Sequence, residues 1–355
     1  MSPAVSATPS RHAAVVGAGI AGLVAARRLH AAGWAVTVFE KSRGAGGRCA
    51  TRRSEVGPFH HGVAGFAAHD TALREALQHW RAQGWVHARP ADGGPASWVG
   101  LPTMNALARQ LAAGLTLHTE NTVQLPQRCA EGGWQLATAE PGLLPQRYDA
   151  LLLAVPAEQA RPLCAGSLVL QQALAGVHSQ PCWTLMLGWP AGAAPARLPR
   201  PAALAAGGVL AEVVDVSELP AATVAAIPVT RWVLHASAAW SMAQLELSPA
   251  EATSRLLLAL AEALQAEASA AALPTPAHVA AHRWRYAQVV APAQGPCGWD
   301  AALCLGSCGD AWGGVAPDAP LPDGVERAWL SGVALADAVI ASPPGAGWRA
   351  GELEG

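Results

Sequence analysis

Lysine is nearly missing from this chain: Lys41 stands alone among 23 basic residues. Charge of either sign is sparse, at 14% of 355 residues, and the formal sum is −2. Without a basic field the chain has nothing to hold a nucleic-acid backbone, so nucleic-acid partners are excluded. Long apolar runs are missing too. The longest, such as Ala13–Ala26, are broken by glycine or end at charges before the ~18 residues a membrane span needs. The same run is a poor secretory signal, since Arg11 is the only side-chain charge before it and a glycine pattern lies inside it. The seven cysteines are odd in number and scattered, with no CxxC pair, which argues against a disulfide framework or zinc site and fits a reducing cytoplasm. What is present is apolar bulk. At 52% hydrophobic the chain can bury a large core, and its length suggests two domains.

The N-terminal segment has a readable order. Ala13–Val16 is a short apolar strand, followed by Gly17-Ala18-Gly19-Ile20-Ala21-Gly22 and a helical stretch to His30, with Gly33 as its stop. Val36, Val38 and Phe39 form a second strand closing at Glu40. This is β-α-β with GxGxxG at the first turn. Gly17 permits the turn, Gly19 lets backbone approach a diphosphate, and Gly22 lets helix pack on strand. The first helical residues, Ile20 and Ala21, then offer free N–H groups to phosphate. Glu40 lies 18 residues after Gly22, where a carboxylate accepts from ribose hydroxyls and repels a phosphorylated ribose.

A second glycine-rich loop follows at once, Arg43-Gly44-Ala45-Gly46-Gly47-Arg48, running on to Thr51-Arg52-Arg53. Guanidinium groups there can fold back and pair with a diphosphate in two-pronged fashion. NAD dehydrogenases do not need this element, whereas proteins holding an extended FAD commonly have it. Noncovalent FAD is therefore the expected cofactor.

The run from Glu40 to Arg53 resembles the signature of renalase-like FAD-dependent oxidoreductases, within the amine oxidase and glutathione-reductase-type superfamily. Further matches include Trp98–Pro102 with Met104–Leu107, Asp149–Pro156, Trp232–Ser237, His282–Ala287, and Gly309-Asp310 with Ala328–Gly332, so the likeness covers roughly residues 12 to 341. It implies an α/β fold: a Rossmann-type FAD-binding domain from 12–58, 98–156 and 282–341, and an interrupted α+β substrate domain on a mixed sheet from 59–97 and 157–281. The tails 1–11 and 342–355 are expected to be mobile. Implied cofactor contacts are Gly17, Gly19, Ile20, Ala21, Gly22, Glu40, Lys41, Arg43, Gly47, Arg48, Val123, Gly309, Asp310 and Val325.

Elsewhere, Tyr148–Pro156 reads as a buried parallel strand and Leu303–Leu305 as another leading to Gly309-Asp310. Asp310 can meet a ribityl hydroxyl, and a helix from about Val325 to Ile340 can aim its positive end at the flavin. Ser248-Pro249-Ala250-Glu251 is a capping box opening a helix to about Leu264, and Ala191–Gly208 reads as a surface loop. The candidate pocket residues are His61, His235, His282, Trp284 and Tyr286. If 282–287 alternates as a strand, the last three share one face. His60, His61 and His69 lack the spacing of a metal site.

The resemblance implies hydride transfer from a small dihydronicotinamide-type substrate, an isomer of NAD(P)H, with oxygen as acceptor and hydrogen peroxide as product. One segment departs from the family: Asp-His-Gly-Ala-Gln-Tyr-Phe-Thr is replaced by His60-His61-Gly62-Val63-Ala64-Gly65-Phe66-Ala67. The alternatives are a flavin amine oxidase, which lacks a lysine at the flavin end here, and a flavin-binding protein without turnover.

Overall fold

The computed structural model describes residues 11–89, 96–140, 142–217, 229–266, 273–313 and 322–343. Of the expected tails, 1–10 and 344–355 lie outside these. Arg11 stacks over Trp34, and Ser342 Oγ accepts from Trp299 Nε1.

The first layer is a six-stranded sheet in the order Gly298–Asp300, Leu305–Ser307, Ala150–Leu153, His12–Val16, Ala35–Phe39, Thr116–His118. All neighbours are parallel except the first pair, a hairpin. Both faces are covered, which is why its strands read as unbroken apolar runs. Ala13, Val15, Val38 and Leu152 face a core completed by helices Ile20–Ala31, Met104–Ala112 and Gly324–Ala341. Ala14, Val16, Phe39, Leu151 and Leu153 face a second core, under a three-stranded sheet and the helices Ala157–Leu163 and Leu168–Ala175. The crossing of Ile20–Ala31 and Gly324–Ala341 is close because Gly332 has no Cβ; one there would lie 2.4 Å from Ala21 O.

A second, antiparallel sheet follows the order Leu210–Asp215, Val229–Ala236, Ser179–Pro190, His278–Val289. Alternation divides its residues. Trp183, Leu185, Leu187, Trp189, Trp232 and Leu234 pack under helix Pro249–Gln265, which opens with the predicted capping box. Met186 and Val233, on the other face, join the first core. Thr184, paired with both His235 and His282, lies on that inward face. The α/β architecture with a Rossmann-type domain and a second sheet thus follows the sequence.

Three boundaries differ. Residues 301–304 form the hairpin turn, directed by Asp300 Oδ1 accepting from Leu303 N–H, so the strand expected at 303–305 starts at Leu305. The expected loop 191–208 contains a helix, Pro201–Gly207, which opens on proline and packs Leu204 into the outer core. The strand holding 282 belongs to the second sheet up to Val289. Segment 59–97, expected with the substrate domain, buries Phe59, Leu73, Leu77 and Trp80 in the core that the parallel sheet shares with the inward face of the second sheet. Among the described residues no helix is long and apolar enough to cross a membrane.

Candidate functional site

The first turn is built for backbone approach. Gly17 has φ +105°, donates to Phe39 O at 2.7 Å, and would place a Cβ 2.4 Å from Ala154 O. Gly19 caps the helix with extended backbone and no side-chain bond, and a Cβ there would meet nothing within 4 Å. The first-turn amides of Ile20 and Ala21 have no intrahelical acceptor, and open space adjoins them at Gly19, an arrangement suited to an anion. The second loop lies across it. Gly46 N–H donates to Ala18 O, and a Cβ on Gly47 would touch Gly19 Cα at 3.4 Å.

Glu40, buried at the end of its strand, accepts from Ala18 N–H at 2.9 Å and Ser42 N–H at 2.8 Å. Two amides fix both carboxylate oxygens and leave lone pairs for hydroxyl donors. Lys41 and Arg43 are exposed beside it. Val123 bridges to Thr138, one turn from Asn121, whose N–H donates to Glu40 O.

Arg48 turns toward protein. It forks onto Asp310 at 2.7 and 2.5 Å and also donates to Ala287 O at 3.1 Å. Two residues expected to contact the cofactor separately are thus one ion pair, a geometry that holds both in register. Gly309, at φ +134°, donates to Ser331 Oγ. Val325 N–H donates to Asp323 Oδ1, so the terminus expected to point freely at a ligand carries its own cap, and burial pushes the Asp323 carboxyl up. Two neighbours escaped the sequence reading. Glu326, fully buried, accepts from His69 and Asp70 N–H and ties that segment to the helix. Arg327 is buried with Nε and Nη1 unpartnered among the described residues. An acid and a base inside the first helical turn read as solvated residues, and only their burial reveals otherwise.

The pocket candidates partly converge. His61, His282 and Trp284 form a ring cluster with centroids 4.5–5.0 Å apart, and Trp284 Nε1 donates to His61 O. His235 lies two strands across from His282 and pairs with Glu212 at 3.2 Å. Tyr286 falls where the register shifts between Trp284 and Gln288, beyond the regular pairing that holds His282 and Trp284.

Burial drives both adjacent histidines toward the neutral form, His60 to about 4 and His61 to about 3, with nearby arginines and His282 adding to the effect. Pairing of either ring, as a cation, with an anion is thereby disfavoured. A pH-dependent stability follows. The unfolded imidazoles bind protons below about 6.5 while the folded ones do not, so stability is full above that pH and drains as pH falls toward about 4. Urea titrations should show the midpoint dropping over this window, and His61→Phe should flatten the slope; an unchanged slope would refute the burial argument.

Residues 15–80 match the NAD(P)-binding Rossmann-like domain family. The flavin-containing monooxygenases FMO GS-OX-like 5 and 3 of Arabidopsis thaliana are each 60% identical over 47 residues, 13% of this chain and 10% of each relative. The chain thus aligns with only a tenth of those relatives. Over nearly its whole length it resembles solved structures in fold. One, from Exiguobacterium sp. 255-15 and described as a protoporphyrinogen oxidase, has TM-score 0.67 at 12% identity, covering 95% of this chain and 100% of that one. Cyclohexylamine oxidase from Brevibacterium oxydans IH-35A has TM-score 0.60 at 14% identity, covering 94% and 99%. A single-substitution variant of putrescine oxidase has TM-score 0.61 at 13% identity, covering 94% and 100%.

Proposed function

We propose that this chain is a noncovalent FAD-dependent oxidoreductase of renalase-like type. The observation carrying the reading is the glycine cradle, where Gly19 meets open space above a free helix terminus, Gly47 crosses it, and Glu40 ends the neighbouring strand. These residues fit FAD: amides for a diphosphate, a carboxylate for ribose hydroxyls, and the Arg48–Asp310 pair farther along. When bound, FAD supplies a two-electron acceptor.

The inward face of the second sheet serves as the substrate wall. Trp284 and His282 offer flat surfaces for a planar ring, and the rings packed on them exclude water. His61 carries no positive charge near neutrality, so the positive charge a dihydronicotinamide ring acquires on losing hydride meets no imidazolium there. The activity is an oxidase: hydride from a dihydronicotinamide-type substrate, an NAD(P)H isomer, with oxygen as acceptor and hydrogen peroxide as product. The lost amide and hydroxyl of segment 60–67 relax discrimination more than reactivity.

Purified protein should release free FAD on heating. Under nitrogen, one member of a panel of dihydronicotinamide isomers should bleach it, and admitting air should give peroxide. Bleaching by amines alone points to an amine oxidase. If dithionite bleaches and no panel member does, the protein binds flavin without turnover.

A further inference from the structure

Two guanidinium groups converge near one carboxylate where the parallel sheet, the second sheet and the C-terminal helix meet. Arg48 is satisfied there by Asp310 and Ala287 O. Arg327 is not. Its side chain is only 4% exposed, and its stem runs past Gly313. Nη2 reaches Val289 O at a long 3.4 Å, while Nε and Nη1 have no hydrogen-bond partner among the described residues. The nearby carboxylates are already engaged. Both oxygens of Asp310 receive Arg48, and Asp323 Oδ1 caps the helix through Val325 N–H. Asp310, Asp323 and the like-charged Arg48 are the groups that act electrostatically on Arg327.

A buried cation with most of its donors idle is costly, and such groups are retained where a partner completes them. A surface role is ruled out by the burial, and a purely structural one fits poorly with idle donors. We propose that Arg327 is a cofactor-contacting residue, donating to a strongly accepting, negatively charged oxygen of bound FAD. The accepting oxygen belongs either to the diphosphate or to the pyrimidine edge of the ring, which gains negative charge on reduction. This rests on the FAD reading above and adds a residue to it.

The test compares the full-length wild type with Arg327→Met and Arg327→Lys. Replacing a buried charge whose donors are mostly unpartnered by an apolar chain of similar length removes a desolvation cost, so flavin-free Arg327→Met should melt no lower than flavin-free wild type. It should nevertheless hold FAD roughly ten- to a hundredfold more weakly, or shift the flavin midpoint potential to more negative values, with Arg327→Lys intermediate. A diphosphate contact weakens ADP binding in parallel with FAD and leaves the potential alone. A contact to the ring edge leaves ADP binding intact and moves the potential. Unchanged FAD affinity and potential in a variant less stable than wild type would overturn the proposal and make Arg327 a structural residue. Wild type that retains no FAD would overturn the cofactor reading itself, and the proposal with it.

Discussion

Asp310→Ala should cost about 3 kcal/mol of folding stability, the lower end of what removing one partner of a buried ion pair costs. The low end applies because the Arg48 side chain keeps 29% exposure, while that of Asp310 keeps only 6%. The loss is large because Asp310 answers two cations. Its two oxygens hold Arg48, and it is the leading favourable charge on Arg327. Without it both guanidinium groups remain in a poorly hydrated place with carbonyls for company. The urea midpoint should fall at unchanged slope, which separates lost stability from altered compactness. An Arg48→Met/Asp310→Leu double variant should regain part of the stability while still failing to retain flavin. A single variant within about 0.5 kcal/mol of wild type would show that the pair is effectively a surface one.

Gly22→Val and Gly19→Ala should separate the two tasks of one motif. A Cβ at Gly22 would lie 2.1 Å from Gly17 O and 2.9 Å from Ala154 Cβ, and the carbonyl belongs to a turn already held at φ +105°. Neither neighbour is a flexible chain end that could swing aside. Overpacking of this kind costs about 1–3 kcal/mol and more where backbone must move, so Gly22→Val should melt early and purify colourless. Gly19→Ala meets nothing within 4 Å and should fold with near-normal stability. Its methyl group would enter the space above the helix amides, so flavin retention should fall while the melting temperature of the flavin-free protein holds. If both variants lose stability equally, the space above Gly19 is not a ligand site.

The parts of the site readable from sequence are those encoded by short spacing. The turn from Gly17 to Gly22, the acid at Glu40, the box at Ser248 and Glu251, and the final helix each depend on residues within a few turns of one another. What escaped depends on partners far apart in the chain. Arg48 and Asp310 are 262 residues apart, and nothing in either local sequence announces their pairing. The strand start at Leu305 was hidden because Leu303 and Cys304 are as apolar as strand residues, while the Asp300 side chain bends them into a turn. His60 and His61 looked like polar loop residues; the folded chain buries them, and burial leaves them uncharged. Regular pairing covers His282 and Trp284, while Tyr286 lies at a register shift that has no local signature.

The strand His278–Val289 ties two parts of the candidate site together. Trp284 is stitched to His61 O, and three residues on Ala287 O receives Arg48. The stretch between the two attachments includes the register shift, and its bend sets how far apart they stand. Both ends clamp the same stretch of chain, 48–61, so neither can slide without the other. A one-residue insertion would turn every wall residue to the opposite side and pull the arginine fork off its carbonyl. A one-residue insertion within this strand should therefore lower stability more than the same insertion in a loop at either end of it.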